Sequence, residues 1–318
     1  MGLFTSKKNL CPVCGEGTPK LLPTKIEGTP ICKACANKVE LPEGALNQMS
    51  INAFAGYIAF YDNNQSKRDV FQETFTYSQG FFKSDIAVDA ANRLFRLRNV
   101  KEALVFEAAH LKSFRIFEDG KVIYENGGNA LICNETDTVD RIKGMTSAVE
   151  QFRARRQQHE MMKRMQKREE EAARQRGEDY HSPYIPTPFF EGNEPVSNFS
   201  IELELEHPYW QNFQGEVKAP TFNSTNPEVA TYLCEYQNAV EKLHELAINL
   251  MQVMHPGAGE VYNVAGQMAQ NDFTRQAPKA ENAGGSAIEE IKKYKGLLDA
   301  GIITEEEFTA KKHQLMGL

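Results

Sequence analysis

The residues best suited to chemistry are four of the six cysteines, which stand in two close pairs, Cys11-Pro-Val-Cys14 and Cys32-Lys-Ala-Cys35. The two-residue gap lets both thiolates of a tight turn face one ion, and two such turns supply the four sulfurs of a tetrahedral structural zinc site. Gly15 follows the first pair, where the turn requires positive φ and free backbone amides. The spacing predicts one zinc ion per chain, bound by Cys11, Cys14, Cys32 and Cys35.

Two alternatives to zinc are weaker. Disulfides are disfavoured because the N-terminal residues lack a hydrophobic signal core, and thioredoxin-type chemistry uses one such pair beside a βαβ unit. Four thiolates leave no coordination position for water, so the zinc is expected to be structural and not catalytic. Cys133 and Cys234 are isolated in the sequence and are expected to be small buried apolar residues.

The segments that must position the cysteines suggest a treble-clef or ribbon module over residues 1–42. Residues 21–26 and 29–31 flank Glu27-Gly28, which predicts a hairpin between the pairs. Residues 34–39 predict a short helix that carries the last ligand and ends before Leu41-Pro42. In sequence order, the module would then consist of a knuckle, a hairpin and a helix that carries the last ligands.

The middle of the chain predicts an α+β body. Residues 43–79 are expected to be a helical connector, with an apolar helix at 45–61 and a polar turn at Asp62-Asn63-Asn64. Alternating residues then predict five strands, followed by two more strands after a helical and proline-rich interruption at 134–197, and a closing amphipathic helix at 227–254. The seven predicted strands lie near residues 86–88, 94–97, 103–106, 114–117, 122–124, 199–205 and after Trp210.

This order of elements resembles a pleckstrin-homology-like antiparallel half barrel with a closing C-terminal helix, spanning residues 80–254. The resemblance is topological and implies a binding scaffold for peptides or lipid head groups. Because fold alone does not establish activity, lipid-surface binding through this body is retained as an alternative hypothesis.

The interruption contains a long charged helix, predicted within 138–178. Between Glu150 and Arg176 it carries nine Lys or Arg and five Asp or Glu residues, a local charge of +4. Its apolar positions are few, so a protruding, mostly solvated helix is expected. The alternative is contact with nucleic acid through Arg153, Arg155, Arg156, Lys163, Arg164, Lys167 and Arg168.

The C-terminal residues predict a flexible linker at 255–286 and a helical hairpin at 287–318. The hairpin, with Asp299-Ala300-Gly301-Ile302-Ile303-Thr304 at its turn, resembles the SHOCT-like short C-terminal domain of many bacterial proteins. That resemblance implies interaction or oligomerisation, and so short a hairpin cannot bury enough apolar surface to be stable alone. The residues expected to make its contacts are Ile288, Ile291, Leu297, Leu298, Ile302, Ile303, Phe308 and Leu315.

The first 120 or so residues also resemble a bacterial or phage family whose mark is this paired-cysteine segment followed by alternating strands. The family is a domain of unknown function, so the resemblance supplies no activity. It covers Cys11-Pro-Val-Cys14-Gly15 through Phe114-Arg115-Ile116-Phe117-Glu118-Asp119-Gly120.

Composition and motifs exclude several broad classes of function. With 36 Lys or Arg against 43 Asp or Glu, the net charge of −7 disfavours a protein devoted to coating nucleic acid or anionic lipid. The longest apolar run has nine residues, whereas a membrane-spanning helix needs about 20. The sequence lacks phosphate-binding, dinucleotide-binding and nucleophile-elbow motifs. We therefore expect a non-enzymatic cytoplasmic zinc adaptor or scaffold that binds a protein partner or itself through the hairpin, with a nucleic-acid-associated protein as the alternative.

Overall fold

The computed structural model describes residues 10–78, 85–192 and 194–263. The chain divides into two compact units, 1–270 and 271–318, and every described residue belongs to the first. The predicted contacts of the C-terminal hairpin, from Ile288 to Leu315, lie outside the described residues.

The N-terminal segment folds as the sequence predicts. Strands β1 (Lys25–Ile26) and β2 (Thr29–Pro30) form an antiparallel hairpin. Its turn residues, Glu27 and Gly28, both have positive φ, 48° and 77°, as a tight two-residue hairpin turn requires. Helix α1 (Lys33–Asn37) follows and is slightly shorter than expected.

The connector contains three helices instead of the single predicted one: α2 (Ala45–Gln48), α3 (Ile51–Asn63) and α4 (Gln65–Val70). The break precedes α3, where the Ser50 side chain accepts a hydrogen bond from Ala53 N–H and caps the new helix. The predicted turn at Asp62-Asn63-Asn64 is reduced to Asn64, because α3 continues to Asn63 and α4 begins at Gln65. Asn64 is buried and bonds both backbone groups of Val105, which explains why this polar residue is not at a solvent-exposed turn.

A four-stranded antiparallel sheet comes next, in spatial order β3-β4-β5-β6. The predicted hairpin around residues 89–92 is confirmed, and Asp89 Oδ1 accepts a hydrogen bond from Asn92 N–H in its turn. Strand β3 was not predicted and falls within the expected connector, whereas the strand expected at 103–106 is reduced to β6. These strands are β3 (Phe75–Tyr77), β4 (Ile86–Asp89), β5 (Leu94–Arg96) and β6 (Phe106–Glu107).

A six-stranded sheet contains the remaining long strands, in the order β11-β10-β7-β8-β9-β12. Its neighbours are antiparallel except for β12, which lies parallel to β9. The predicted strands near 114–117, 122–124, 199–205 and after Trp210 are all present here. The members are β7 (Leu111–Glu118), β8 (Lys121–Asn126), β9 (Ala130–Asn134), β10 (Asn198–Leu205), β11 (Asn212–Lys218) and β12 (Gly259–Asn263).

Two features of this sheet differ from the prediction. Strand β9 is absent from the sequence prediction, and residues 259–263, expected within the flexible linker 255–286, form strand β12. Both segments are short, and β12 gains its backbone partners from β9, more than a hundred residues earlier. The seven predicted strands are thus divided between two sheets and joined by three others in a mixed α+β architecture.

The closing helix packs against both sheets. Helix α7 (Val229–Met254) contacts β3 and β4 of the first sheet and β7, β8 and β9 of the second. Its predicted apolar stripe is buried most completely at its C-terminal half, where Leu243, Leu246 and Leu250 have no exposed surface. The core therefore lies between this helix and the two sheets.

The charged segment forms α5 (Thr138–Gly144) and α6 (Thr146–Arg176). Val149 and Phe152 anchor α6 in the core, while Met161 and Met165 are more than half exposed, as the prediction of a mostly solvated helix requires. The loop that follows, 178–192, lacks helix and strand. None of the helices within the described residues is long and apolar enough to cross a membrane.

The strand-end residues His110 and His207 meet inside an aromatic cluster, with ring centroids 4.9 Å apart. His207 also lies 4.8 Å from the ring of Phe106, and its Nδ1 accepts a hydrogen bond from Tyr209 N–H. Burial, and then the neighbouring His110 and Lys67, lower the pKa of His207 from 6.5 to about 4. The imidazole is therefore neutral in the folded protein near pH 7.

This cluster predicts a specific loss of stability in mild acid. Between pH 6.5 and about 4 the unfolded chain binds a proton on His207 that the folded chain does not, so stability falls as the pH is lowered. For one such group, the free energy of unfolding falls by up to about 1.4 kcal/mol for each pH unit. Urea titrations across this range should show a smaller pH dependence for His207→Asn than for the parent, while His181→Gln, at an exposed site, should behave like the parent.

Candidate metal centre

The four predicted cysteines come together. The distance from Cys14 Sγ to Cys32 Sγ is 3.4 Å, that from Cys35 Sγ to Cys14 Sγ is 3.6 Å, and that from Cys11 Sγ to Cys35 Sγ is 3.9 Å. All four sulfurs lie within 4.8 Å of one another. Tetrahedral coordination with Zn–S bonds of about 2.3 Å places the sulfurs about 3.8 Å apart, so the set could hold such an ion.

The backbone of the first turn accounts for the positions of Cys11 and Cys14. Gly15 N–H donates to Cys11 O at 2.9 Å, and Cys11 N–H donates to Glu16 O at 2.7 Å. Gly15 has a φ of 77°, which confirms the expected need for glycine at this corner. A side chain at this position would strain the turn that aims both sulfurs inward.

The start of helix α1 positions the second pair. Cys32 is the N-cap residue, and its sulfur accepts a hydrogen bond from Cys35 N–H at 3.4 Å. Because the two residues are separated by one helical turn at the N-terminus, both sulfurs face the first pair. The positive end of the helix also favours negative charge on these sulfurs.

The electrostatics of the cluster favour a cation. Cys11, Cys32 and Cys35 are buried, whereas Cys14 is exposed. Burial acts to raise the pKa of Cys11, but hydrogen bonds from the backbone near Cys32, Cys14 and Val13 outweigh it and lower that pKa to about 6. Burial, followed by the surrounding sulfurs, raises the pKa of the Cys35 thiol. All four thiols can ionise together only if a positive ion balances them.

The cysteine module is attached to the rest of the unit through Glu40. The Tyr57 hydroxyl accepts a hydrogen bond from Glu40 N–H and donates one to Lys38 O, both at 2.7 Å. Trp210 Nε1 donates to Glu40 O, and Leu104 N–H donates to Glu40 Oε2. Burial raises the pKa of the Glu40 carboxyl. These bonds tie the segment after α1 to helix α3, to the residues just before β6 and to the connection between β10 and β11.

The predicted nucleic-acid contacts on α6 separate into two groups. Arg153 donates to Pro227 O and pairs with Glu228, while Arg156 bonds Thr225 O and pairs with Glu160, so these two guanidinium groups already have partners within the protein. The remaining five side chains are exposed: Arg155, Lys163, Arg164, Lys167 and Arg168.

A second cluster of ligand-type residues was not predicted. Cys133 on β9, His244 on α7 and Glu260 on β12 place their ligand atoms within 4.8 Å of one another. Its sequence signals are weak, because Cys133 is isolated in the sequence and His244 is the single histidine of the amphipathic helix predicted at 227–254. Cys133 is indeed buried, but the same expectation for Cys234 is wrong, since that residue is exposed.

Comparison with known families supports one part of the sequence interpretation. Residues 289–316 match the family described as SHOCT, the Short C-terminal domain. No curated protein and no solved structure gives a significant match to this chain. The similarity to the paired-cysteine family at the N-terminus gains no support from these comparisons.

Proposed function

We propose that this protein is a non-enzymatic scaffold that assembles with copies of itself through its C-terminal short domain and is stabilised by zinc at its N-terminus. The match of residues 289–316 to the SHOCT domain carries the proposal. A hairpin of this length needs a partner surface to bury its apolar residues, and a second copy of the same hairpin supplies one.

Zinc is the proposed ion because of the chemistry of the four donors. Four thiolates at tetrahedral spacing suit zinc, which tolerates this geometry without redox chemistry. With all four positions taken by sulfur, the ion contributes to folding and leaves no place for a substrate. This arrangement supports a structural role for the centre in a binding protein.

The order of the strands and the packing of α7 support a pleckstrin-homology-like scaffold. A four-strand meander, β3–β6, is followed by the three-strand meander β7–β9, and α7 packs against both. In this interpretation α5, α6 and the loop 178–192 are the insertion, and β10 and β11 return to the sheet beside β7. Lipid-surface binding, the other function of such bodies, has no specific observation in its favour, so peptide or self-recognition is the better proposal.

Light scattering after size-exclusion chromatography tests the proposal. The full chain is expected to have at least the mass of a dimer, and a chain ending at residue 270 the mass of a monomer. Phe308→Asp and Leu315→Asp should each dissociate the full chain, because they place a charge on the proposed apolar contact, whereas Lys312→Ala should not. A monomeric full chain at concentrations up to about 100 μM would rule out self-assembly.

The response to salt separates self-assembly from nucleic-acid binding. Assembly through apolar contacts should change little between 50 and 500 mM salt, whereas phosphate contacts by α6 would weaken steeply with ionic strength. Glutamates 160 and 169–171 lie among the exposed basic residues of α6, which favours a solvated helix over a phosphate-binding surface.

A further inference from the structure

Three elements bring a thiol, an imidazole and a carboxylate together on one side of the six-stranded sheet. His244 Nε2 lies 3.9 Å from Cys133 Sγ and 3.4 Å from Glu260 Oε2. Cys133 lies more than a hundred positions before both His244 and Glu260, so the convergence of the three residues depends on the tertiary fold. This cluster is distinct from the four-cysteine centre and has no role in the proposed assembly.

The strand register explains why these side chains share a face. Cys133 of β9 pairs with Tyr262 of β12 in the parallel ladder, and Glu260 stands two residues before Tyr262. Register partners and residues two apart point to the same side of a sheet. Helix α7 packs on that side and contributes His244, whose ring lies 5.1 Å from the ring of Tyr124 on β8.

The distances fit a tetrahedral divalent cation. Bonds of about 2.3 Å to sulfur and about 2.0–2.2 Å to nitrogen and oxygen place such ligand atoms roughly 3.4–3.6 Å apart. The His244 to Glu260 distance matches, and the Cys133 to His244 distance is only slightly longer. The Tyr262 hydroxyl donates to Glu260 Oε2, as second-shell groups do when they orient a ligating carboxylate.

The surroundings leave room for a fourth ligand. Cys133, His244 and Tyr262 line a pocket of about 590 Å³, together with Tyr124 and Tyr236. Two further carboxylates, Glu135 and Glu241, also line it, as does Glu118, which pairs with Arg141 outside the lining. The described lining has neither Lys nor Arg. A concave site with this excess of negative charge favours a cation.

We propose that Cys133, His244 and Glu260 form a second metal site that takes a zinc-type divalent cation. Its fourth position faces the pocket and takes water or a donor atom of a small molecule. Three protein ligands with one open position differ from the closed four-sulfur centre, so this ion is the more exchangeable of the two.

Zinc binding to the full chain tests the proposal. After treatment with a chelator and equilibration with Zn²⁺, elemental analysis should find two zinc ions per parent chain and one in Cys133→Ser and His244→Ala. Competition with a chromophoric chelator measures the zinc affinity of the second site, which Glu260→Gln should lower at least 100-fold. Tyr262→Phe, which retains all three ligands, should weaken that site about 10-fold.

Controls distinguish a metal site from a simple His–Glu ion pair. Cys234→Ser removes an exposed thiol from the same helix as His244 and should still bind two zinc ions. Circular dichroism of each variant without added zinc checks that it folds. The proposal is overturned if the folded Cys133→Ser, His244→Ala and Glu260→Gln variants bind as much zinc as the folded parent.

Discussion

Replacing Cys32 by serine is expected to abolish metal binding at the N-terminus and unfold the module around it. The serine hydroxyl is a good N-cap acceptor, so the hydrogen bond from Cys35 N–H to residue 32 can be retained. The loss of metal binding and of stability then reports mainly the missing thiolate. Structural zinc contributes about 10–16 kcal/mol of apparent binding free energy in small zinc-dependent peptides. A module whose fully buried apolar residues are mainly Ile26 and Ile31 cannot offset such a loss.

The protein contains a convenient reporter for this experiment. Trp210 is the single tryptophan of the chain, and its indole N–H bonds Glu40 O just beyond helix α1. Unfolding of the module should therefore shift Trp210 emission to longer wavelength, with a parallel loss of one metal ion by elemental analysis. Cys234→Ser is the matched control and should preserve both signals. An unchanged emission spectrum and metal content in Cys32→Ser would show that the cluster does not hold an ion.

Replacing Glu118 by alanine is expected to destabilise the protein by about 3–5 kcal/mol, because it breaks a buried charged network. Glu118 is only 2% exposed and accepts hydrogen bonds from Thr138 Oγ1 and, at 2.7 Å, from the Tyr236 hydroxyl. Arg141 Nη2 lies 3.4 Å from the same carboxylate. The network joins β7, α5 and α7, so its loss leaves two buried hydroxyl groups without their acceptor.

Glu204→Ala is the matched control for this substitution. Glu204 lies on the neighbouring strand β10, but it is exposed and accepts one bond, from Ser113. Its loss should cost less than about 1 kcal/mol. Urea unfolding of both variants measures the difference, and equal stabilities would show that the Glu118 network contributes no more than a surface contact.

Local chemistry made the cysteine centre predictable from sequence. The two-residue gaps, Gly15 and the Glu27-Gly28 turn each specify backbone geometry over a few residues, and the structure has that geometry at each of them. Helix α7 was predictable for a similar reason, because its apolar stripe has the period of a helix over more than six turns.

Long-range pairing explains what the sequence could not predict. Strand β12 is short, and its backbone hydrogen-bond partners lie on the distant strand β9. Cys133, His244 and Glu260 come together only because these two strands pair and α7 packs against them. Glu118 is an acidic residue, a type that is normally solvated, but residues of α5 and α7 bond its carboxylate and it is buried. Asn64 similarly lies in a polar turn of the sequence, but it is buried and its side chain bonds the backbone of Val105, a distant residue.

In the proposed scaffold, the N-terminal ion is enclosed by four sulfurs and stabilises the fold. X-ray absorption at the zinc edge of the Cys133→Ser variant tests this coordination, because that variant lacks the proposed second site. Four sulfur neighbours at about 2.3 Å, with no nitrogen or oxygen neighbour, are the expected result. A spectrum that requires a nitrogen or oxygen ligand, or fewer than four sulfurs, would contradict the claim of a closed structural centre.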